Sequence, residues 1–173
     1  MFTNRARILV IGAFIIMLAV GIQLHVYEIA AAIGMFILLL IWGYFNQGTI
    51  VLAAKAFHNK EYEKAEVLLQ QVPNPVWLSK RRRGFYEFIY GGICMQKQDF
   101  TEAERHYEIA AQYPLRNVND HVAALIHVAN LSIRHDDFDK AKAYLSLADK
   151  HEEKITAKLK DVIKRLHQEL DKK

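Results

Sequence analysis

The first part of the chain contains two long apolar runs. Residues 8–22 hold no charged side chain, and a second apolar run covers 29–45. The polar segment 23–28 between them holds the only ionisable groups of the stretch. One helix over both runs would be roughly 60 Å long at ~1.5 Å per residue, twice the ~30 Å hydrocarbon core of a bilayer. The pattern therefore predicts a transmembrane helical hairpin with spans at about 8–24 and 28–45.

Charged and aromatic residues at the ends of these runs predict an orientation. Arg5 and Arg7 precede the first run, and the positive-inside bias places such residues in the cytoplasm. Trp42 and Tyr44 close the second run, as an interfacial aromatic belt would. Two spans return the chain to its starting side. We therefore expect an integral membrane protein, of the bacterial inner-membrane type, with both termini in the cytoplasm.

Two other interpretations of the N-terminal region stay open. A cleaved signal peptide would use Arg5 and Arg7 as its basic region and residues 8–22 as its apolar region. Against it, Ala19-Val20-Gly21 is a poor cleavage site, and a second apolar run follows at once. The other interpretation is a pair of buried helices outside a membrane. Nothing later in the chain is apolar enough to cover two such runs.

C-terminal to the apolar runs, the sequence shows a repeat with a period of 38 residues. The segment Asp-Phe-Thr-Glu-Ala at 99–103 has counterparts at 61–65 and 137–141, with the alanines 38 residues apart. Such self-similarity marks an α-helical repeat array, in which no single unit can bury its own apolar face. Small residues recur at the eighth and twentieth positions of each unit, where two antiparallel helices can approach closely. These residues are Ala53, Gly91, Ala129, Ala65, Ala103 and Ala141.

This pattern resembles the tetratricopeptide repeat (TPR) family over residues 46 to about 155. The family period is about 34 residues, so each unit here is longer by about four. The resemblance implies an all-α fold, with three TPR-like helix pairs stacked as an α-solenoid at 46–155 behind the anchor at 1–45. Apolar side chains at helical spacing predict a capping helix at 156–173. The alternatives are chance alanines in an unrelated helical bundle and, for the last helix, a membrane-surface or partner-binding role.

The resemblance also implies a binding surface. TPR arrays bind peptides or partner proteins in a concave groove that the first helix of each unit lines. Some members hold a carboxylate in a Lys/Asn/Arg clamp, but the fifth position here holds Ile50, Phe88 and Ile126, so that clamp is absent. We expect an apolar segment or helix to bind, unless the anchor or the capping helix fills the groove. The predicted partner-binding residues are Ile50, Phe57, Phe85, Phe88, Met95, Ile126, Asn130, Ile133 and Arg134.

Charge and candidate chemistry narrow the functional classes. Lysine and arginine total 23 against 19 acidic residues, a net charge of +4 that is too small and dispersed to predict nucleic-acid binding. Arg81, Arg82 and Arg83 form the sharpest charged feature, beside Trp77, and are predicted to contact anionic lipid or an acidic partner unless they are simply solvated. The lone Cys94 excludes an intramolecular disulfide. No motif predicts a cofactor, a metal site or a small-molecule substrate.

Together these features predict a non-enzymatic, membrane-anchored adaptor. It would bind partner proteins at the cytoplasmic face, through the TPR-like groove, and would contact the lipid bilayer through its hairpin. The alternative is an accessory or regulatory subunit of a membrane enzyme or transporter complex, contacting it through the spans. No group of residues in the sequence supports a third class, an enzyme in its own right.

Overall fold

The computed structural model describes residues 4–172, including the side chains of residues 10, 12–38 and 49–172. All regular structure in this part of the chain is helical, as an all-α fold requires. The helices are α1 (Asn4–Gln23), α2 (Tyr27–His58), α3 (Tyr62–Gln70), α4 (Lys80–Gln96), α5 (Phe100–Ala111), α6 (Val118–Arg134), α7 (Phe138–Asp149) and α8 (Ala157–Leu170). Two 3₁₀ turns, Pro75–Trp77 and Glu152–Lys154, precede α4 and α8.

The predicted membrane spans are not found. Among the described residues, no helix combines the length and the apolar character needed to cross a bilayer. A span needs about 20 consecutive, predominantly apolar residues in one helix. No helix among the described residues meets that requirement. The predicted transmembrane hairpin, with spans at about 8–24 and 28–45, is therefore wrong.

Two further expectations depended on the spans. The predicted integral-membrane location, with both termini on the cytoplasmic side of a bacterial inner membrane, is wrong for the same reason. The positive-inside argument from Arg5 and Arg7 applies only to a chain that crosses the bilayer. The alternative function, contact with a membrane enzyme or transporter through the spans, loses its basis as well.

The chain divides into two compact units, Met1–Thr49 and Ile50–Lys173. In the first unit α1 packs against the first part of α2, and the rings of Phe14 and Phe36 lie 5.3 Å apart. The connection falls in the predicted polar segment: His25 has φ 60°. The Val26 N–H donates to the carbonyl of Gly21 at 3.1 Å. A left-handed residue with such a bond is the Schellman arrangement that ends many helices.

The second unit contains three helix pairs, in which 50–58 packs with α3, α4 with α5, and α6 with α7. Small residues lie at the contacts between paired helices, as the register of the repeat predicts. A Cβ added at Gly91 would lie 3.1 Å from the Tyr107 ring, so α4 and α5 approach closely there. The remaining small residues are all fully buried: Ala53, Ala65, Ala103, Ala129 and Ala141.

The same turn joins the helices of each pair. Lys60, Gln98 and Asp136, 38 residues apart, have φ of 63°, 62° and 60°. In each turn the next residue donates its N–H to the carbonyl five positions earlier, at 2.8–3.0 Å. The side chains of Asp99 and Asp137 then cap α5 and α7, each accepting a backbone N–H at 3.2 Å. The 38-residue period is therefore visible in the backbone as well as in the side chains.

Helix α8 closes the array against the third pair. Its apolar side chains Ile163, Leu166 and Leu170 are buried in one cluster with Ile126 and Ile133 of α6. The amide of Thr156, just before α8, donates to the side chain of Asn119 at 3.1 Å. The apolar stripe noted in the sequence thus faces α6 and α7, where a cap would lie.

Candidate partner-binding surface

The residues predicted to line the groove differ widely in exposure. Ile50, Ile126 and Ile133 keep only 2, 6 and 3% of their surface exposed. Four further side chains are partly buried: Phe57, Phe85, Phe88 and Met95. The exposed members are Asn130 and Arg134. Exposure therefore separates residues that fill the core from residues that a partner can reach without unfolding.

Two of the partly buried phenylalanines pack between helix pairs. The ring centroid of Phe88, in α4, lies 5.6 Å from that of Tyr107 and 6.3 Å from that of His127. Phe57, near the end of α2, lies against Gly92 of α4, where an added Cβ would collide with its ring. Both rings therefore contribute to the contact between successive pairs. Their role toward a partner stays a prediction.

Four of the predicted groove residues meet in one depression. Met95 comes from α4, and Asn130, Ile133 and Arg134 come from α6; the space between them measures about 370 Å³. The guanidinium carbon of Arg134 lies 3.7 Å from the centroid of the Phe100 ring, which stacks the cation on an aromatic face. The lining therefore has an apolar part, the partly buried Met95 and Phe100, and a polar rim that includes Asn130 and Arg134, as protein-binding sites commonly do.

Helix α8 reaches the same depression. Glu169 contributes to its lining, opposite the residues of α4 and α6. The buried side chains of α8 cover Ile126 and Ile133, so the capping helix occupies this part of the groove face. What stays open is the edge marked by Asn130, Arg134 and Glu169. The spacing of apolar residues in the sequence predicted the cap but could not show that an acidic residue of the cap would border the groove.

The three consecutive arginines fall into two environments. Arg83 turns inward: its Nη2 lies 2.6 Å from Oε1 of Glu87, whose exposed fraction is 1%. Arg81 is exposed and Arg82 partly so, next to the exposed side chains of the preceding 3₁₀ turn. Arg83 therefore belongs to the interior network, and only Arg81 and Arg82 are free to contact a partner.

Comparison with known families agrees with this architecture. A sequence profile of the SusR N-terminal TPR domain matches residues 41–163. The chain belongs to this TPR family. The matched region contains all three helix pairs and the first half of α8. No curated protein and no solved structure matches significantly. The TPR resemblance is confirmed, and membrane anchoring is not supported.

The TPR domain carries an unusual residue at one helix contact. The fourth position of a TPR unit, commonly tryptophan, is occupied in the second unit by Glu87, whose side chain is 1% exposed. Its carboxylate is held by Arg83 and by His106, whose Nδ1 lies 2.5 Å from Oε2. A buried carboxylate needs such partners, because an unpaired charge in the interior is strongly destabilising. The i, i+4 spacing of Glu87 from Arg83 was readable in the sequence; its contact with His106 was not.

A second buried carboxylate ties the second and third pairs together. Glu104, in α5, accepts hydrogen bonds from Ser132 Oγ at 2.7 Å and from Lys140 Nζ at 2.8 Å. His135 Nδ1 lies 2.7 Å from its other oxygen. Burial by itself would raise the pKa of Glu104, but the hydrogen bonds from Lys140, Ser132 and His135 outweigh it and lower the pKa. The arrangement stabilises the stack of helix pairs.

The partly buried His127 packs against aromatic rings and has no charged partner among the described residues. The ring of His127 stacks on that of Tyr107, with centroids 4.5 Å apart and planes 12° apart. Burial lowers the pKa of His127 to about 4, so the ring is neutral at physiological pH. Stacking and burial identify it as a packing residue.

The described residues contain no cluster of three or more His, Cys, Asp or Glu side chains placed to hold a metal ion. Cys94 is buried, and burial, together with the charges of Asp99 and Glu102, raises the pKa of its thiol. A thiol in that state is a poor nucleophile.

Proposed function

We propose that this TPR domain is a non-catalytic scaffold that binds a partner protein at the depression between α4, α6 and α8. TPR-family domains are typically repeat scaffolds for protein interactions. The observation that carries the proposal is the convergence of Met95, Asn130, Ile133 and Arg134 on one space of about 370 Å³. These residues come from the first helices of two successive units.

The lining indicates the kind of segment that would fit. The apolar part of the lining that a partner can reach is Met95 and Phe100, which are only partly buried, and it suits one apolar anchor side chain of the partner. The rim presents an amide at Asn130, a cation at Arg134 and a carboxylate at Glu169. Such a rim can pair with the backbone and polar side chains that flank the anchor. The proposed ligand is thus a short amphipathic segment. It would contact only the edge of the groove that α8 leaves open.

Site-specific crosslinking in the native cell tests the proposal. A photo-reactive amino acid replaces Asn130 in the full chain, and a matched protein carries it at Ser146, an exposed residue of the second helix of the third pair. We expect one protein to be captured from position 130 and not from position 146. Equal capture at both positions would contradict the proposed surface.

Affinity of the captured partner supplies the second measurement. Asn130→Arg places a bulky cation at the rim, and Ser146→Arg introduces the same side chain outside the depression. We expect the first change to weaken binding at least tenfold (about 1.4 kcal/mol) and the second to leave the Kd unchanged. An unchanged Kd for Asn130→Arg, with the fold intact, would show that the partner does not bind in the depression.

A further inference from the structure

The 3₁₀ turn before α4 presents two large apolar side chains to solvent. Val76 and Trp77 are 73% and 72% exposed, the highest values among the exposed large apolar side chains of the described residues. Within that part of the chain, the Trp77 ring makes no contact with another ring or with a cation. Exposed tryptophan is scarce on surfaces without a partner and frequent at the centres of interfaces.

The backbone of this turn is held in place. The side chain of Asn74 accepts the amide of Val76 at 3.0 Å, and the carbonyl of Pro75 accepts the amide of Leu78 at 3.2 Å. Val72 and Leu78, on either side, are buried in the cluster of the first and second pairs. The turn is thus pinned at both ends while Val76 and Trp77 project outward. Their exposure is a consequence of the fold rather than of a loose segment.

Positive charge adjoins the exposed apolar pair. Lys80 and Arg81 are exposed and Arg82 is partly exposed, and none of the three forms an ion pair within the described residues. Arg83, by contrast, forms an ion pair with Glu87. The first turn of α4, which is described in full, contains no acidic residue to balance these charges. The surface therefore combines an apolar anchor with uncompensated cations.

We propose that the surface formed by Val76, Trp77, Lys80, Arg81 and Arg82 binds an acidic segment of a partner protein. Carboxylates of the segment pair with the three cations, and one of its apolar side chains packs on Trp77 and Val76. The site is separate from the depression at Asn130 and goes beyond the function proposed above. Charge complementarity selects an acidic protein segment as its occupant.

A peptide of defined composition provides the probe. A fluorescein-labelled peptide of Glu and Asp residues around one central Leu is titrated with the full-length protein and followed by anisotropy. A peptide with Gln and Asn in place of the acids is the control. We expect the acidic peptide to bind at least tenfold more tightly and to lose affinity as salt is raised. Equal affinity for the two peptides would overturn the proposal.

Variants of the protein show where the acidic peptide binds. Arg81→Glu and Trp77→Ala should each weaken binding of the acidic peptide at least tenfold with an undiminished melting temperature. Lys142→Glu, which reverses one exposed charge on α7, should leave its Kd unchanged. If Arg81→Glu binds like the wild type, the proposal fails. Vesicles containing phosphatidylserine form a separate arm: binding to vesicles without binding to the peptide would assign the surface to lipid and overturn it.

Discussion

At the scale of single residues, the side chain of His127 couples folding to pH. Its pKa is lowered by burial from 6.5 to about 4, whereas the unfolded chain keeps the ordinary value. Between these two values the unfolded state binds more protons than the folded one, so stability falls as pH falls from 6.5 towards 4. The full effect is about 3 kcal/mol, since each pKa unit corresponds to about 1.4 kcal/mol.

His127→Phe isolates this effect. The ring keeps its place on Tyr107 but no longer titrates, so the variant should lose less stability than the wild type between pH 7 and pH 4. Urea unfolding at a series of pH values measures the difference. Replacing the exposed Gln168, which does not titrate, by Ala serves as the control and should leave the pH dependence as it is. Parallel curves for the wild type and His127→Phe would show that His127 does not titrate as proposed.

At the scale of elements, the three turns within the helix pairs hold non-glycine residues in the left-handed region. Gln98 is exposed and has φ 62°, a conformation that costs an L-residue roughly 1 kcal/mol and costs glycine nothing. Its turn is otherwise complete, because Asp99 donates to the carbonyl of Cys94 at 3.0 Å. Gln98→Gly should therefore stabilise the protein, by about 0.5–1 kcal/mol.

Thermal unfolding checks this prediction against a glycine placed elsewhere. Lys142 is exposed in the interior of α7, where a glycine should destabilise by up to about 1 kcal/mol. The two substitutions are thus expected to change the free energy of unfolding in opposite directions, although both introduce glycine. Destabilisation by Gln98→Gly would mean that the left-handed conformation is not strained in this turn.

At the scale of the whole repeat unit, α8 determines whether the third pair is complete. Leu166 is buried in the cluster that contains Ile126 and Ile133, so Leu166→Ala should destabilise the protein by about 2–5 kcal/mol. Gln168, exposed on the same helix, should tolerate alanine within about 0.5 kcal/mol. Because each repeat is stabilised by its neighbours, denaturant unfolding should show the loss as a shift of the whole transition. A small early transition confined to α8 would contradict this.

Several features of the protein followed from its sequence alone, because they depend on residues close together in the chain. The 38-residue period placed Ala65, Ala103 and Ala141 at helix contacts, and the structure buries all three. A helix pair needs small residues where its helices cross and a turn at a fixed distance from those residues. Small residues that recur along the sequence therefore imply turns that recur with the same period. The TPR family could be inferred for the same reason.

The tertiary structure decided which surfaces cover one another. Apolar composition predicts removal from water but does not say what provides the cover, and the assignment of the two runs near the N-terminus to a bilayer, made on composition, was wrong. The same ambiguity applied to Ile126 and Ile133, which α8 covers. The i, i+4 spacing of Arg83 and Glu87 is visible in the sequence, but the packing of Glu87 against His106 of α5, which makes the pair a buried one, is not. Such choices depend on contacts between residues far apart in the chain, which no local pattern encodes.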